Sequence, residues 1–292
     1  MANPFPMAWL NGAYVPLAEA RISPLDRGFL FADGAYEVVP YCRGRPFLLR
    51  EHLVRLDRSL DALRIPPPLS HAQWAQVLQG LAAHAGASEQ LLYVQVTRGA
   101  ESGRNHLFPV PPVPPTLFAF SSPMPLPSEA VLEQGLAAVT LEDTRWARCD
   151  IKSIALLANV LLRQQAQDAG AAEALLVTDG ELLEGSSSSV FVVRKGVLAT
   201  PPNDERILPG TTRDAVLELA RGWLPSEIRR IPAAEFADCE EVWISSAGRA
   251  VLPVTRVNGR PIGSGRPGPL WTRLYALWQQ RLDALAATPA LN

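Results

Sequence analysis

The sequence predicts an α/β (α+β) protein of two domains, each with mixed sheets and flanking helices, on three observations. Apolar residues alternate at strand spacing and recur at helical spacing by turns along both halves of the chain. The 292 residues, 48% hydrophobic and 19% charged, suit one large or two medium domains with a real core. Between the halves, Ser121-Ser-Pro-Met-Pro-Leu-Pro-Ser128 alternates small polar residues with prolines, as a linker does. The expected division is residues 1–120, a linker at 121–128, and residues 129–292.

In the first half, Asn11-Gly12 between short apolar runs is a hairpin signal over Ala8 to Val15. Gly34 to Tyr41 alternates and is rich in Val and Tyr, and a turn at Gly44 leads to a partner strand expected at Pro46 to Leu49. Leu53, Leu56, Leu60 and Leu63 mark an amphipathic helix over Arg50 to Leu63, with Arg55 near its start, ended by prolines at 66–68. A second helix covers His71 to Ala85, and Leu91 to Thr97 reads as a buried strand. Between Gly99 and Thr116 the prolines preclude regular structure, so the segment is a stiffened loop presenting Arg104 and His106, or else a polyproline recognition ligand. A strand at Leu117 to Phe120 closes the half.

The second half opens with a strand at Leu136 to Leu141. A helix is expected from Ile154 through Leu162 to Gly170, then a hairpin of Ala174 to Thr178 and Glu181 to Glu184 across Asp179-Gly180. The serines 186–189, squeezed between two strands, read as a tight hydrogen-bonding turn. Gly210-Thr211-Thr212 opens a periodic run from Ala215 to Ala220; such a helix mouth is either an anion site or an ordinary N-cap. A strand at Glu241 to Ser246, a hairpin across Asn258-Gly259 and a helix from Leu270 to Ala286 follow.

Composition excludes several functions. With 27 basic and 29 acidic residues the net charge is −2, which lacks the electrostatic footprint of a nucleic-acid binder. No apolar run approaches the roughly 20 residues of a membrane span, and the first residues lack a basic and apolar secretory pattern. A cytoplasmic protein is expected. Three scattered cysteines point to reduced, mostly buried thiols, and four scattered histidines show no metal-ligand spacing. Only two of the 27 basic residues are lysines, Lys152 and Lys195, so where a plain positive charge serves, this chain uses arginine. An amine, unlike a guanidinium, can lose its proton and become a nucleophile. Lys152 opens an apolar run, which suits an amine holding an aldehyde cofactor as a Schiff base, although from one residue alone a packed stem with its amine in water is the commoner reading.

Asp26-Arg-Gly-Phe29, Asp33-Gly-Ala-Tyr-Glu-Val-Val39, Arg104-Asn-His106, Arg145-Trp-Ala-Arg-Cys-Asp-Ile-Lys152, Glu184-Gly-Ser-Ser-Ser188, Leu208-Pro-Gly-Thr-Thr-Arg-Asp214 and Leu252-Pro-Val254 occur in this order over nearly the whole chain. Together they resemble the fold-type IV pyridoxal-phosphate enzymes, most closely the bacterial D-amino-acid transaminases. That resemblance implies pyridoxal 5'-phosphate bound by Lys152, Glu184 beside its pyridine nitrogen, and Leu208 against its ring. It also implies a phosphate held by Arg55, Gly210, Thr211, Thr212 and Ser246. Tyr36, Arg104 and His106 match the group that takes the substrate carboxylate in D-selective members. The implied reaction moves the amino group of a D-amino acid of the D-alanine type to 2-oxoglutarate or pyruvate, in a ping-pong sequence, on a homodimer that completes the site. The sequence departs from its relatives at Ala247, where a hydroxyl is expected, and at Ala250, where an acid is expected. L-branched-chain transamination and an aminodeoxychorismate-type lyase are the alternatives with the same chemistry, and a non-catalytic ligand-binding protein that keeps the fold without turnover is a third.

Overall fold

The computed structural model describes residues 3–287. The chain divides into two compact units: one takes the chain up to Pro125, the segment Ile151–Ala155 and the chain from Leu282 on, and the other takes Leu126–Asp150 and Leu156–Arg281.

In the first unit, strands β1 (Met7–Leu10) and β2 (Ala13–Pro16) turn through Asn11 and Gly12, both at positive φ, as the short hairpin turn demands. A one-turn helix α1 (Arg27–Phe31) is capped by the Asp26 carboxylate, which accepts from the Gly28 N–H at 2.8 Å. Then come β3 (Gly34–Cys42), β4 (Arg45–Pro46), α2 (Leu49–Ala62), α3 (His71–Ala85), β5 (Gln90–Thr97) and β6 (Thr116–Pro123). The strands form an antiparallel sheet in the order β2-β1-β6-β5-β3-β4. Leu53, Leu56 and Leu60 of α2 and Trp74, Leu78 and Leu81 of α3 pack with Trp9, Val39, Leu92, Val94 and Ala119 of the sheet. Each such leucine, fully buried, contributes about 1.5–3 kcal/mol.

Two boundaries differ from the sequence reading. The strand expected at Pro46 to Leu49 is only Arg45–Pro46, because Leu48 turns to φ 54° and the chain enters α2 at Leu49. The strand β6 continues through Ser121, Ser122 and Pro123, within the expected linker, because Ser121 and Ser122 pair with Leu92 and Leu91 of β5.

The second unit contains α4 (Glu129–Gln134), β7 (Leu136–Glu142), α5 (Leu157–Asp168), β8 (Glu173–Thr178), β9 (Glu181–Gly185), β10 (Ser189–Arg194) and β11 (Val197–Thr200). It continues with α6 (Thr211–Ala220), β12 (Ser226–Ile228), β13 (Ile231–Pro232), β14 (Glu241–Ser246), β15 (Ala250–Val257), β16 (Arg260–Pro261) and the part of α7 (Pro269–Ala287) up to Arg281. Its strands make one mixed sheet in the order β12-β11-β10-β14-β15-β7-β8-β9-β13, with β16 on β15. Leu175, Val190, Val192, Val242, Ile244 and Val254 form its core, and α5 closes one side through Leu162 and Ala166 against Leu176. Glu241 accepts the Leu270 and Trp271 N–H groups at 2.9 Å each, supplying α7 with a carboxylate cap.

The helix expected from Ile154 begins only at Leu157. The backbone of Lys152, Ser153 and Ile154 is engaged by β3 and not by a helix, and Leu156 is the N-cap. The run is therefore not a buried wall around Lys152: Leu157, Val160 and Leu161 are 74%, 60% and 54% exposed. All three cysteines are buried and unpaired. Among the described residues no helix is long and apolar enough to cross a membrane.

Candidate active site

Lys152 is held by its backbone from two sides. Its carbonyl accepts the Tyr36 N–H at 3.0 Å, and its own N–H donates to Ser59 Oγ of α2 at 3.1 Å. Ser153 bridges Ala35, and the Ile154 N–H donates to the Gly34 carbonyl at 3.1 Å. This close approach requires glycine at 34, where a Cβ would lie 2.5 Å from the Val96 carbonyl oxygen and 3.2 Å from Ile154. The Lys152 Nζ then sits 4.1 Å from the centroid of the Tyr36 ring, a cation–π distance. Among the described residues the Tyr36 hydroxyl has no hydrogen-bond partner; the ring stacks on Tyr93 at 5.7 Å.

Strand alternation turns the neighbour of Tyr36, Glu37, to the opposite face, towards α2. There its fully buried carboxylate accepts Arg55 Nε at 2.7 Å and Nη2 at 3.0 Å, and His52 Nδ1 lies 2.8 Å away. The bidentate pair fixes Arg55, seventh in its helix and not near its start, and assigns the His52 proton to Nδ1. The 3.5 Å approach of Arg55 Nη2 to that nitrogen is thus a contact between two donors. Burial alone raises the Glu37 carboxyl, but Arg55 and His52 outweigh it and hold the group far below the ordinary carboxylate range. Burial likewise keeps His52 below its ordinary value near 6.5. Both shifts have the same consequence. The contribution of Glu37 is complete at neutral pH and is lost as pH falls towards its folded value; below about 6.5 an unfolded His52 takes a proton that the folded one refuses. The thermal midpoint should therefore fall from about pH 7 to about pH 5, and fall less in His52→Gln, which keeps a donor to Glu37 without titrating. Equal falls by calorimetry would remove His52 from the account.

Arg104 and His106 lie on the exposed loop between β5 and β6. The Arg104 guanidinium sits 4.8 Å, and the His106 ring 5.1 Å, from the Phe31 ring of α1. The structure thus gathers these two at Phe31, whereas Tyr36 is with Lys152. Among the described residues neither side chain has a hydrogen-bond partner, so their donors face outward.

In the second unit, Glu184 at the end of β9 is buried, accepting from Arg145 Nη1 and from the Leu208 N–H at 3.1 Å. Burial pushes its carboxyl up, opposed by the Arg145 guanidinium beside it. Arg145 is in turn clasped by both oxygens of Asp143, at 2.8–3.2 Å, and by the Arg206 carbonyl at 3.0 Å. Burial works against its charge, but Asp143 and Glu184 raise its pKa above the ordinary arginine value. Thr211 and Thr212 are the first two residues of α6, both buried, after the N-cap Gly210, which has no side chain to cap the helix. A Cβ at 210 would lie 2.5 Å from Ser189 Oγ. The helix start presents the positive end of the α6 dipole, which suits an anion. Ser246 ends β14, and its carbonyl accepts the Arg249 N–H at 3.2 Å across a turn that contains Ala247. The serine turn is built on Glu173, a fully buried carboxylate that accepts Ser186 Oγ, Ser187 Oγ at 3.1 Å and Ser188 Oγ at 3.1 Å.

Sequence reasoning gave no role to Glu37, His52, Asp143, Arg145 or Glu173. The first two carried a legible signal: an acid at an inward strand position, and His52, Arg55 and Ser59 at one-turn spacing on the buried side of α2. Glu173 carried none, since the serines it accepts lie thirteen to fifteen residues away.

Amino-transferase class IV is the family that matches, over residues 34–257. The D-alanine aminotransferase of Bacillus licheniformis is 39% identical over 273 residues, 93% of this chain and 95% of that protein. That of Staphylococcus epidermidis is 35% identical over 277 residues, 94% and 98% of the two chains. The T.th. branched-chain amino acid aminotransferase, solved with pyridoxamine 5'-phosphate, superposes with a TM-score of 0.88 at 25% identity, covering 98% and 96%. A fold IV-transaminase of Curtobacterium pusillum gives 0.77 at 27%, covering 95% and 94%. Taken unit by unit, the donors are of the types a phosphorylated pyridine aldehyde needs: the first carries a primary amine, Lys152, and an arginine, Arg55, and the second a buried carboxylate, Glu184, and the start of α6. With the match extending from Gly34 at the start of β3 to Val257 at the end of β15, and so including both Lys152 and Glu184, the chain belongs to the class IV aminotransferases.

Proposed function

We propose that this aminotransferase moves the amino group of a D-amino acid of the D-alanine type to 2-oxoglutarate or pyruvate in a ping-pong sequence. Pyridoxal 5'-phosphate is the cofactor; when bound it supplies a ring that accepts the electrons left when the substrate loses its α-proton. Lys152 would hold the cofactor through its Nζ, and that amine would carry the proton to and from the substrate α-carbon. The Glu184 carboxylate holds a proton at the ring nitrogen, Leu208 packs on the ring, and Arg55, Gly210, Thr211, Thr212 and Ser246 take the phosphate. Tyr36, Arg104 and His106 take the substrate carboxylate, and clamping it on one side decides which enantiomer turns its α-hydrogen to Lys152. The observation that carries the reading is the Lys152 amine 4.1 Å from the Tyr36 ring, whose hydroxyl has no other partner among the described residues. The D-alanine aminotransferases at 35–39% identity support the stereochemistry.

The likeness to a branched-chain enzyme supports a second reading, L-branched-chain transamination. The holoenzyme's visible absorbance should shift with D-alanine and not with L-alanine; a response only to L-leucine or L-valine would establish the second reading instead. We also read the protein as a cytoplasmic homodimer, a second copy covering the exposed Leu157, Val160 and Leu161 of α5. A monomeric mass by light scattering would overturn the dimer.

A further inference from the structure

We propose that Arg27 is a positioning residue for substrate recognition, holding the loop that carries Arg104 and His106. The inference rests on the carboxylate role given above to those two residues. Arg27 is 3% exposed, and its guanidinium is shared between two carboxylates and the loop backbone. Nε donates to Asp33 at 2.8 Å, and Nη1 donates to Glu101 at 2.5 Å and to the carbonyls of Asn105 and Leu107 at 2.6 and 3.1 Å. Nη2 reaches the His106 carbonyl at 3.4 Å. One planar group thus grips three consecutive peptide carbonyls, starting with the residue directly after Arg104.

The same short helix supplies the other half of the grip. Phe31, one turn on, has Arg27 at 4.9 Å from its ring centroid, Arg104 at 4.8 Å and the His106 ring at 5.1 Å. The Arg27 N–H also donates to the Gly99 carbonyl at 2.9 Å, fixing the point where the loop leaves β5. The helix itself is fixed by Asp26, which accepts Thr97 Oγ1 at 3.0 Å and Thr116 Oγ1 at 2.5 Å, tying both ends of the loop to the helix cap. The loop's own sequence, rich in proline and lacking regular hydrogen bonds, cannot set the direction of two exposed side chains. Lysine cannot replace Arg27, because one ammonium has neither the number nor the fork of donors to span these acceptors.

The test measures steady-state constants of the holoenzyme for D-alanine, and the inhibition constant of propionate, which has the carboxylate without the amine. Arg27→Lys should raise both the KM for D-alanine and the propionate constant roughly tenfold while lowering kcat no more than about threefold. Glu101→Gln, which removes one anchor on the less buried side, should shift the two constants in the same direction by about two- to fourfold. In an Arg104→Ala background either change should add less than about twofold, because a residue acting through Arg104 has nothing left to position. The proposal is overturned if Arg27→Lys and Glu101→Gln leave both constants near the parent values while Arg104→Ala raises them. It is equally overturned if their effects persist undiminished beside Arg104→Ala, which would mark a general structural role. Should Arg27→Lys not fold, Glu101→Gln and its combination with Arg104→Ala decide. If Arg104→Ala alone changes nothing, the carboxylate reading fails and takes this proposal with it, an outcome distinct from the others.

Discussion

Lys152→Arg is expected to fold normally and to lose transamination by more than about a thousandfold. The two halves of this expectation have separate causes. What fixes the segment is backbone: the Lys152 carbonyl on the Tyr36 N–H, its N–H on Ser59 Oγ, and the bridge of Ser153 to Ala35. None of these depends on the side chain. An arginine can also keep its charge over the Tyr36 ring, and the chain already uses Arg at 25 of its 27 basic positions. A guanidinium, however, has no usable lone pair at any pH the protein survives, so it can neither bind a carbonyl carbon nor carry the α-proton. The comparison needs only the thermal midpoint, the visible spectrum and the rate with D-alanine. Turnover above a tenth of the parent's would remove Lys152 from the chemistry.

Glu184→Gln carries the second-largest expected effect, a fall in kcat of roughly 10²- to 10³-fold with a much smaller change in KM. Glutamine is nearly isosteric and can still accept the Leu208 N–H. Arg145 is not stranded by the change, because Asp143 holds it through both oxygens and the Arg206 carbonyl takes a further donor. On the role proposed for Glu184, the loss is therefore confined to one negative charge at the ring nitrogen. Without it the ring keeps its proton less readily and accepts electrons less well. An unchanged kcat would mean that Arg145, and not the cofactor, is the partner for which Glu184 was placed.

Much of this molecule was legible in its sequence because its signals are local. Asn11-Gly12 gave the first hairpin, Leu53, Leu56 and Leu60 the buried side of α2, and the four serines a tight turn. The errors fall where a distant partner decides. Ile154 shares the helical periodicity, yet its N–H donates to the Gly34 carbonyl of β3, and the helix begins only at Leu157. Ser121 and Ser122 have the composition of a linker, yet β5 pairs them into a strand. At the site, the resemblance named single residues, whereas pairing belongs to the fold: Arg55 depends on Glu37, Glu184 on Arg145, and the serines on Glu173. None of those partners is near in sequence, so no window of residues could have joined them.

The anchoring of the Arg104–His106 loop has an evolutionary corollary. Because the loop hangs from α1 and the Lys152 segment hangs from β3 and Ser59, mutations can accumulate in one attachment without disturbing the other. On the roles proposed above, a lineage that remodels what hangs from α1 would change its substrates while the Lys152 segment keeps its own attachments.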